Sequence, residues 1–87
     1  MSMNLSCYIK IGSTMEYVNG LVQVDTANSN AIVGRHPYWQ DVARAYISYL
    51  KIEYCNCPHI IKDQKEIIGR AWRKAEEAGG RLEFRVE

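Results

Sequence analysis

The sequence predicts a small α+β protein, an antiparallel sheet with two helices packed on one face, in the order βββααβ. Three observations predict this class. Apolar residues recur at helical spacing across residues 63–78, and apolar and polar residues alternate near both ends of the chain. An Asn-Gly pair also stands between two short apolar runs. The length of 87 residues fits one domain, residues 1–87, with little core to spare.

The amino-terminal part predicts a meander of three strands. Residues 5–11 alternate between apolar and polar side chains, the period of a half-buried strand. Residues 15–18 and 21–24 flank Asn19-Gly20, and this dipeptide favours a hairpin because both residues tolerate positive φ. In that register one face of the hairpin would be the core face, formed by Met15, Tyr17, Val22 and Val24.

The middle of the chain predicts a polar loop followed by the first helix. Residues 25–30 are rich in turn-forming side chains, and Ile32-Val33 indicates a brief extended segment. From about residue 37 to about residue 53, apolar side chains fall on one helical stripe and polar ones on the other. This stripe predicts a helix that packs on the sheet.

The last quarter of the chain predicts a second helix and a terminal strand. Asp63 and Glu66 have the spacing of a capping box, which places the start of the helix at residue 63. Gly79-Gly80 provides the left-handed exit that glycine adopts without a steric penalty. Residues 81–87 then alternate charged and apolar, which predicts a strand beside or between those of the meander.

Composition narrows the class of function. The net charge is +1, so charge alone indicates neither a nucleic-acid binder nor an acidic mimic of nucleic acid. Three cysteines favour a reducing compartment over a disulfide framework. No leader pattern and no long apolar stretch are evident, so a cytoplasmic protein without a membrane partner is expected. No cofactor is expected either.

One local cluster has the chemistry of metal ligands. Cys55, Cys57 and His59 could occupy three corners of a zinc tetrahedron, with Cys7 or His36 as the fourth ligand. The single residue between the two cysteines is shorter than a zinc knuckle, and no second cysteine pair follows. A loop with one or two structural cysteines is therefore the favoured interpretation.

The candidate catalytic residues of the sequence do not form a recognised catalytic motif. His36 or His59 could act as a general base near Arg35, Tyr38 or Asp41. Cys55 or Cys57 could act as a nucleophile beside His59, but no third group orients that pair. The sequence therefore predicts a protein that is not an enzyme.

The sequence favours a non-enzymatic interaction protein that binds a larger macromolecule stoichiometrically. One such protein would be a regulator, for example a phage or mobile-element inhibitor of a host defence or nucleic-acid-processing complex. Tyrosine and arginine are enriched at binding hot spots. The expected contact residues are Arg35, Tyr38, Arg44, Tyr49, Arg70, Arg73, Arg81 and Arg85.

Two alternatives remain open. The same cations and aromatic rings could bind nucleic acid directly, although interleaved carboxylates favour a merely solvated surface. A small zinc-binding or Cys/His catalytic domain is the further alternative. A homodimer formed through the edge of the sheet is a further possibility that the sequence does not decide, since an unpaired terminal strand can join its symmetry mate.

Overall fold

The computed structural model describes residues 5–87 and confirms an α+β fold with an antiparallel sheet. Within these residues the order is ββαααβ, with one strand fewer and one helix more than predicted. The elements are β1 (Leu5–Ile11), β2 (Thr14–Tyr17), α1 (Thr26–Gly34), α2 (Trp39–Glu53), α3 (Pro58–Glu77) and β3 (Arg81–Val86).

The sheet has the strand order β2-β1-β3, with β1 in the centre. Cys7 lies opposite Phe84 and Ile9 lies opposite Leu82 in the β1–β3 register, and all four side chains are buried. Because directly paired residues share a face, these pairs define the core face of the sheet. The terminal strand, β3, therefore pairs with β1 and forms one edge of the sheet.

All three helices contact the sheet and share one apolar core with it. Tyr46 and Leu50 of α2 are fully buried, as are Ala75 of α3 and Leu82 of β3. Burying a side chain of leucine size stabilises the fold by about 1.5–3 kcal/mol. No helix within residues 5–87 is long and apolar enough to cross a membrane.

The predicted third strand is absent. Residues 21–24 form no strand, although Gly20 has the positive φ of +94° that the Asn-Gly pair predicted. The backbone of this segment bonds to side chains instead: Gln64 Nε2 donates to the Gly20 carbonyl at 2.9 Å. The amide of Val22 lies 3.3 Å from the Tyr46 hydroxyl. Tertiary contacts have therefore replaced the ladder of a hairpin.

The predicted core face of the hairpin is also wrong. Tyr17 is 51% exposed and Met15 is 36% exposed, whereas Val24 is buried and Val22 half-buried. The chain leaves β2 towards the helices, so Val18 and residues after the turn reach the core, whereas Met15 and Tyr17 do not.

The predicted polar loop is the start of α1. Asp25 caps this helix, accepting a 2.9 Å hydrogen bond from the amide of Asn28. Ile32, expected in an extended segment, lies inside the helix and is buried. Many residues of α1 are small and polar, which made the segment look like a loop.

The other two helices match the prediction in place and differ in their starts. α2 begins at Trp39, two residues later than expected, and ends at Glu53 as predicted. α3 begins at Pro58 rather than at Asp63, so the proposed capping box lies inside the helix. Proline suits the first helical turn because its missing amide has no partner there.

Candidate functional site

A groove of about 690 Å³ runs along α3 and is lined on one side by the end of α2. Five exposed cations line it, and we call this surface the basic groove. They are Lys51 of α2 and Lys62, Lys65, Arg70 and Arg73 of α3. Glu66 is the one carboxylate of residues 5–87 that lines the groove, so its local charge is +4 in a chain of net charge +1.

None of these five cations is neutralised by a close partner within the described part of the chain. Four ion pairs are present there, and they involve Arg44, Lys74, Arg81 and Arg85 instead. Every carboxylate of residues 5–87 lies farther than 4.0 Å from the charged nitrogens of the basic groove. The groove is therefore a concentrated positive field that Glu66 offsets only in part.

Helical periodicity explains why the cations converge. Residues three and four apart lie on one side of a helix, which places Lys62, Lys65 and Arg73 in a row with Arg70 beside it. The opposite side of α3 is buried through Gln64, Ile68, Ala71 and Ala75. Lys51 lies beside this row because the connection between α2 and α3 is short. The periodicity of either helix alone does not indicate this contact between the two.

A second groove, of about 530 Å³, lies between α1 and α2. We call it the α1–α2 groove. It brings together three of the predicted contact residues, Arg35, Arg44 and Tyr49. Ile52 also lines it and is 78% exposed, the most exposed large apolar side chain in residues 5–87.

Two interactions hold Arg44 in place. Its guanidinium pairs with Asp41 at 2.9 Å and lies over the Trp72 ring, 5.3 Å from the ring centroid. The Trp72 ring meets Trp39 edge to face at 4.8 Å. Arg44 is thus less free to bind a partner than Arg35, which pairs with no carboxylate in the part of the chain that the structure describes.

The face of the sheet opposite the helices carries the other predicted arginines. We call it the open face. Arg81 and Arg85 both pair with Glu83 there, and Arg85 holds the pKa of that carboxyl below its ordinary value. The Arg85 guanidinium also lies 5.1 Å from the centroid of the Tyr8 ring. These two arginines therefore do not join the basic groove.

The open face also holds an aromatic pair. The rings of Tyr8 and Tyr17 meet edge to face, with centroids 5.5 Å apart. The Tyr8 hydroxyl donates a 2.6 Å hydrogen bond to Glu87, and this bond raises the pKa of Tyr8. Tyr38, predicted as a contact residue, stands apart from both grooves at the start of α2 and is 67% exposed.

The structure does not bring the candidate metal ligands together. In residues 5–87 no three side chains of His, Cys, Asp or Glu are placed to share a metal ion. Cys55 and His59 are exposed, and Cys57 is half-buried. Cys7 lies in the core, where burial raises the pKa of its thiol to about 12, so it stays protonated at neutral pH.

The residues considered for catalysis are only partly brought together. His36 and Asp41 line the α1–α2 groove with Arg35, but Asp41 already forms an ion pair with Arg44. His59 lines neither this groove nor the basic groove. Among residues 5–87, His36 and Asp41 thus lie on a charged, partly apolar surface.

Comparison with known proteins adds nothing to this geometry: no protein-family model, curated protein or solved structure matches the chain.

Sequence reasoning had identified two of the five cations of the basic groove, Arg70 and Arg73. It missed Lys51, Lys62 and Lys65. The spacing of Lys62, Lys65 and Arg73 along one helical side was the available indication for the two lysines of α3, once the helix is known to begin at Pro58.

Proposed function

We propose that this protein is a non-enzymatic nucleic-acid-binding protein that holds a phosphate backbone in the basic groove. The observation that supports the proposal is the row of five exposed cations, none of them within 4.0 Å of a carboxylate of residues 5–87. Phosphate contacts from lysine and arginine supply most of the affinity in such complexes.

The composition of the groove favours a nucleic acid over an acidic protein. Three of its five cations are lysines. Lysine is depleted at protein–protein interfaces, whereas it is an ordinary phosphate ligand. Pro58, in the first turn of α3, also lines the groove, so the positive end of the helix dipole adds to the same field.

The cations are distributed along the helix rather than gathered at one point. At about 1.5 Å per residue, Lys62 and Arg73 are separated by about 16 Å along the α3 axis. A single phosphate would engage only part of this row. An extended chain of phosphates can engage all of it, so the proposed ligand is a polymer.

The first test is the salt dependence of binding to labelled oligonucleotides, measured by fluorescence anisotropy. If about four phosphates are neutralised, the logarithm of the association constant falls with the logarithm of salt concentration at a slope of about −3 for a single strand. Binding that is absent at low salt, or that does not change with salt, contradicts the proposal.

Two neighbouring residues of α3 provide a matched comparison. Arg73 has no carboxylate partner in residues 5–87, whereas Lys74 pairs with Glu16 at 2.7 Å. Arg73→Gln should weaken binding and reduce the slope by about 0.7, the value for one lost contact to a single strand. Lys74→Gln should change both much less, and equal effects of the two variants count against the groove as the binding surface.

A protein partner is the second candidate, and the exposed Ile52 in the α1–α2 groove supports it. The apolar lining beside Arg35 suits an amphipathic segment that carries carboxylates. Affinity purification with nuclease treatment, repeated with Ile52→Asp and Arg35→Glu, tests it. A stoichiometric protein retained after nuclease and lost with both variants is the expected result, and its retention by both contradicts this use of the groove.

A further inference from the structure

We infer that the nucleic acid is single-stranded and that one of its bases stacks on Tyr17; this inference rests on the proposed function. It specifies the ligand by adding an aromatic platform to the basic groove. The observation that carries it is a continuous surface from the basic groove round the β2 edge to the open face.

Arg70 makes the surface continuous. It lines the basic groove and also a second cleft, of about 240 Å³, between β2 and α3. Tyr17 lines that cleft from the other side, together with Asn19. A strand whose phosphates follow the basic groove to Arg70 is therefore brought directly to Tyr17.

The ring of Tyr17 is held in place and still accessible. It packs edge to face on Tyr8, at an interplanar angle of 63°, and the residue remains 51% exposed. Tyr8 is itself held by its hydrogen bond to Glu87 and by the Arg85 guanidinium. An aromatic ring that is both fixed and half open to solvent can stack on a base with little further loss of side-chain entropy.

Stacking on Tyr17 selects a single strand. In a duplex both faces of a base are covered by its neighbours, whereas an unpaired base can turn out and present its π-face. Every base has such a face, so the stacking contact carries little sequence preference. The cations alone would bind either form, and the tyrosine provides the difference between them.

The charges along the path also favour this ligand. Arg70 lies at the junction without a carboxylate within 4.0 Å among residues 5–87, and Lys10 lies beside Tyr8 and Met15 in the sheet. Glu16 faces the cleft but is paired with Lys74. A negatively charged backbone therefore meets no free carboxylate of the cleft between Arg70 and Tyr17.

The test compares a homopyrimidine single strand of roughly 15 nucleotides with a duplex of the same length at one salt concentration. Wild-type protein should bind the single strand more tightly. Tyr17→Ala should weaken single-strand binding about tenfold and leave duplex binding unchanged. Tyr17→Phe should retain the preference, which shows that the ring rather than the hydroxyl is required, and unchanged duplex binding by Tyr17→Ala shows that the variant is folded. Tyr38→Ala removes a tyrosine elsewhere that is more exposed than Tyr17 and should have no effect.

The two proposals fail in different ways. If wild-type protein binds duplex as tightly as single strand, or if Tyr17→Ala binds the single strand as wild type does, the stacking inference is wrong. The function proposed for the basic groove survives that result. If Arg70→Gln combined with Arg73→Gln leaves all binding intact, both proposals are wrong.

Discussion

The hydroxyl of Tyr46 on α2 donates a 2.6 Å hydrogen bond to Oε1 of Gln64 on α3, and both residues are buried. The same glutamine donates through Nε2 to the carbonyl of Gly20, and the Tyr46 hydroxyl accepts from the amide of Val22. Two helices and the chain segment after β2 therefore meet at one polar junction. Burial raises the pKa of Tyr46, so its hydroxyl remains a hydrogen-bond donor at neutral pH.

Replacing Gln64 should destabilise the protein by about 1–3 kcal/mol, because Gln64→Leu removes the acceptor of the buried Tyr46 hydroxyl and the side-chain donor to the Gly20 carbonyl. Tyr46→Phe should cost about 1–2 kcal/mol for the same reason. Urea denaturation measures the free energy of unfolding of each variant, and the double variant should lose less than the sum of the two.

Tyr49→Phe is the control for this series. The hydroxyl of Tyr49 makes no side-chain hydrogen bond within residues 5–87 and the residue is only half-buried, so its loss should change stability by less than about 0.5 kcal/mol. A Gln64→Leu protein as stable as the control would show that the junction is not what holds the 20–24 segment.

The same junction explains why the hairpin prediction was wrong. Asn19-Gly20 does make a turn, with Gly20 at positive φ, and the local pattern is therefore correct. The path of the chain after the turn is decided by Gln64, which is 44 residues away from Gly20 in sequence. α2 and β3, by contrast, were predicted correctly because their apolar periodicity is strong and their packing reinforces it.

Gly80 is required by a close approach of two backbones. A Cβ at this position would lie 2.2 Å from the carbonyl oxygen of Lys10 on β1. Gly80→Ala should therefore destabilise the protein by about 1–3 kcal/mol, since backbone atoms must shift. Thermal unfolding followed by circular dichroism measures the effect.

Gly34 is the matched control, because a Cβ there would meet no atom within 4 Å. Gly34→Ala lies in the last turn of α1 and should be neutral or slightly stabilising, by up to about 1 kcal/mol. Equal effects at the two glycines would mean that backbone entropy, rather than the contact with Lys10, decides the outcome at Gly80.

The candidate site could be predicted only in part, and for a physical reason. The arginines of α3 are visible in the sequence, but interleaved glutamates made that side of the helix look neutralised. Glu76 and Glu77 in fact stand clear of the basic groove, and Lys51 reaches it from another helix. Which charges are paired depends on three-dimensional distances that a linear pattern does not contain.

Zinc should not stabilise this protein. Cys55, Cys57 and His59 do not converge, and the buried thiol of Cys7 cannot approach them without disrupting the core. Adding stoichiometric zinc to chelator-treated protein should leave the melting temperature unchanged, as should Cys55→Ser combined with Cys57→Ser. A rise in melting temperature with zinc that the double variant abolishes would establish the metal site that the sequence left as an alternative.

Stability should fall at alkaline pH because of Cys7. Its pKa is raised by burial from 9.0 to about 12 in the folded protein. Since the unfolded chain releases this proton first, the contribution is complete below pH 9 and is lost progressively as pH rises from about 9 to about 12. The limiting loss of stability is about 1.4 kcal/mol per pH unit for one group.

Cys7→Ala removes the thiol and should flatten the dependence of the unfolding free energy on pH, measured by urea denaturation at each pH. Ile9→Val weakens the same core by about 1 kcal/mol without removing a titrating group, so it should keep the wild-type slope. Tyr46 adds a loss of the same sign at higher pH in all three proteins, so the difference between the two variants isolates the thiol. Parallel curves for Cys7→Ala and Ile9→Val would contradict this account.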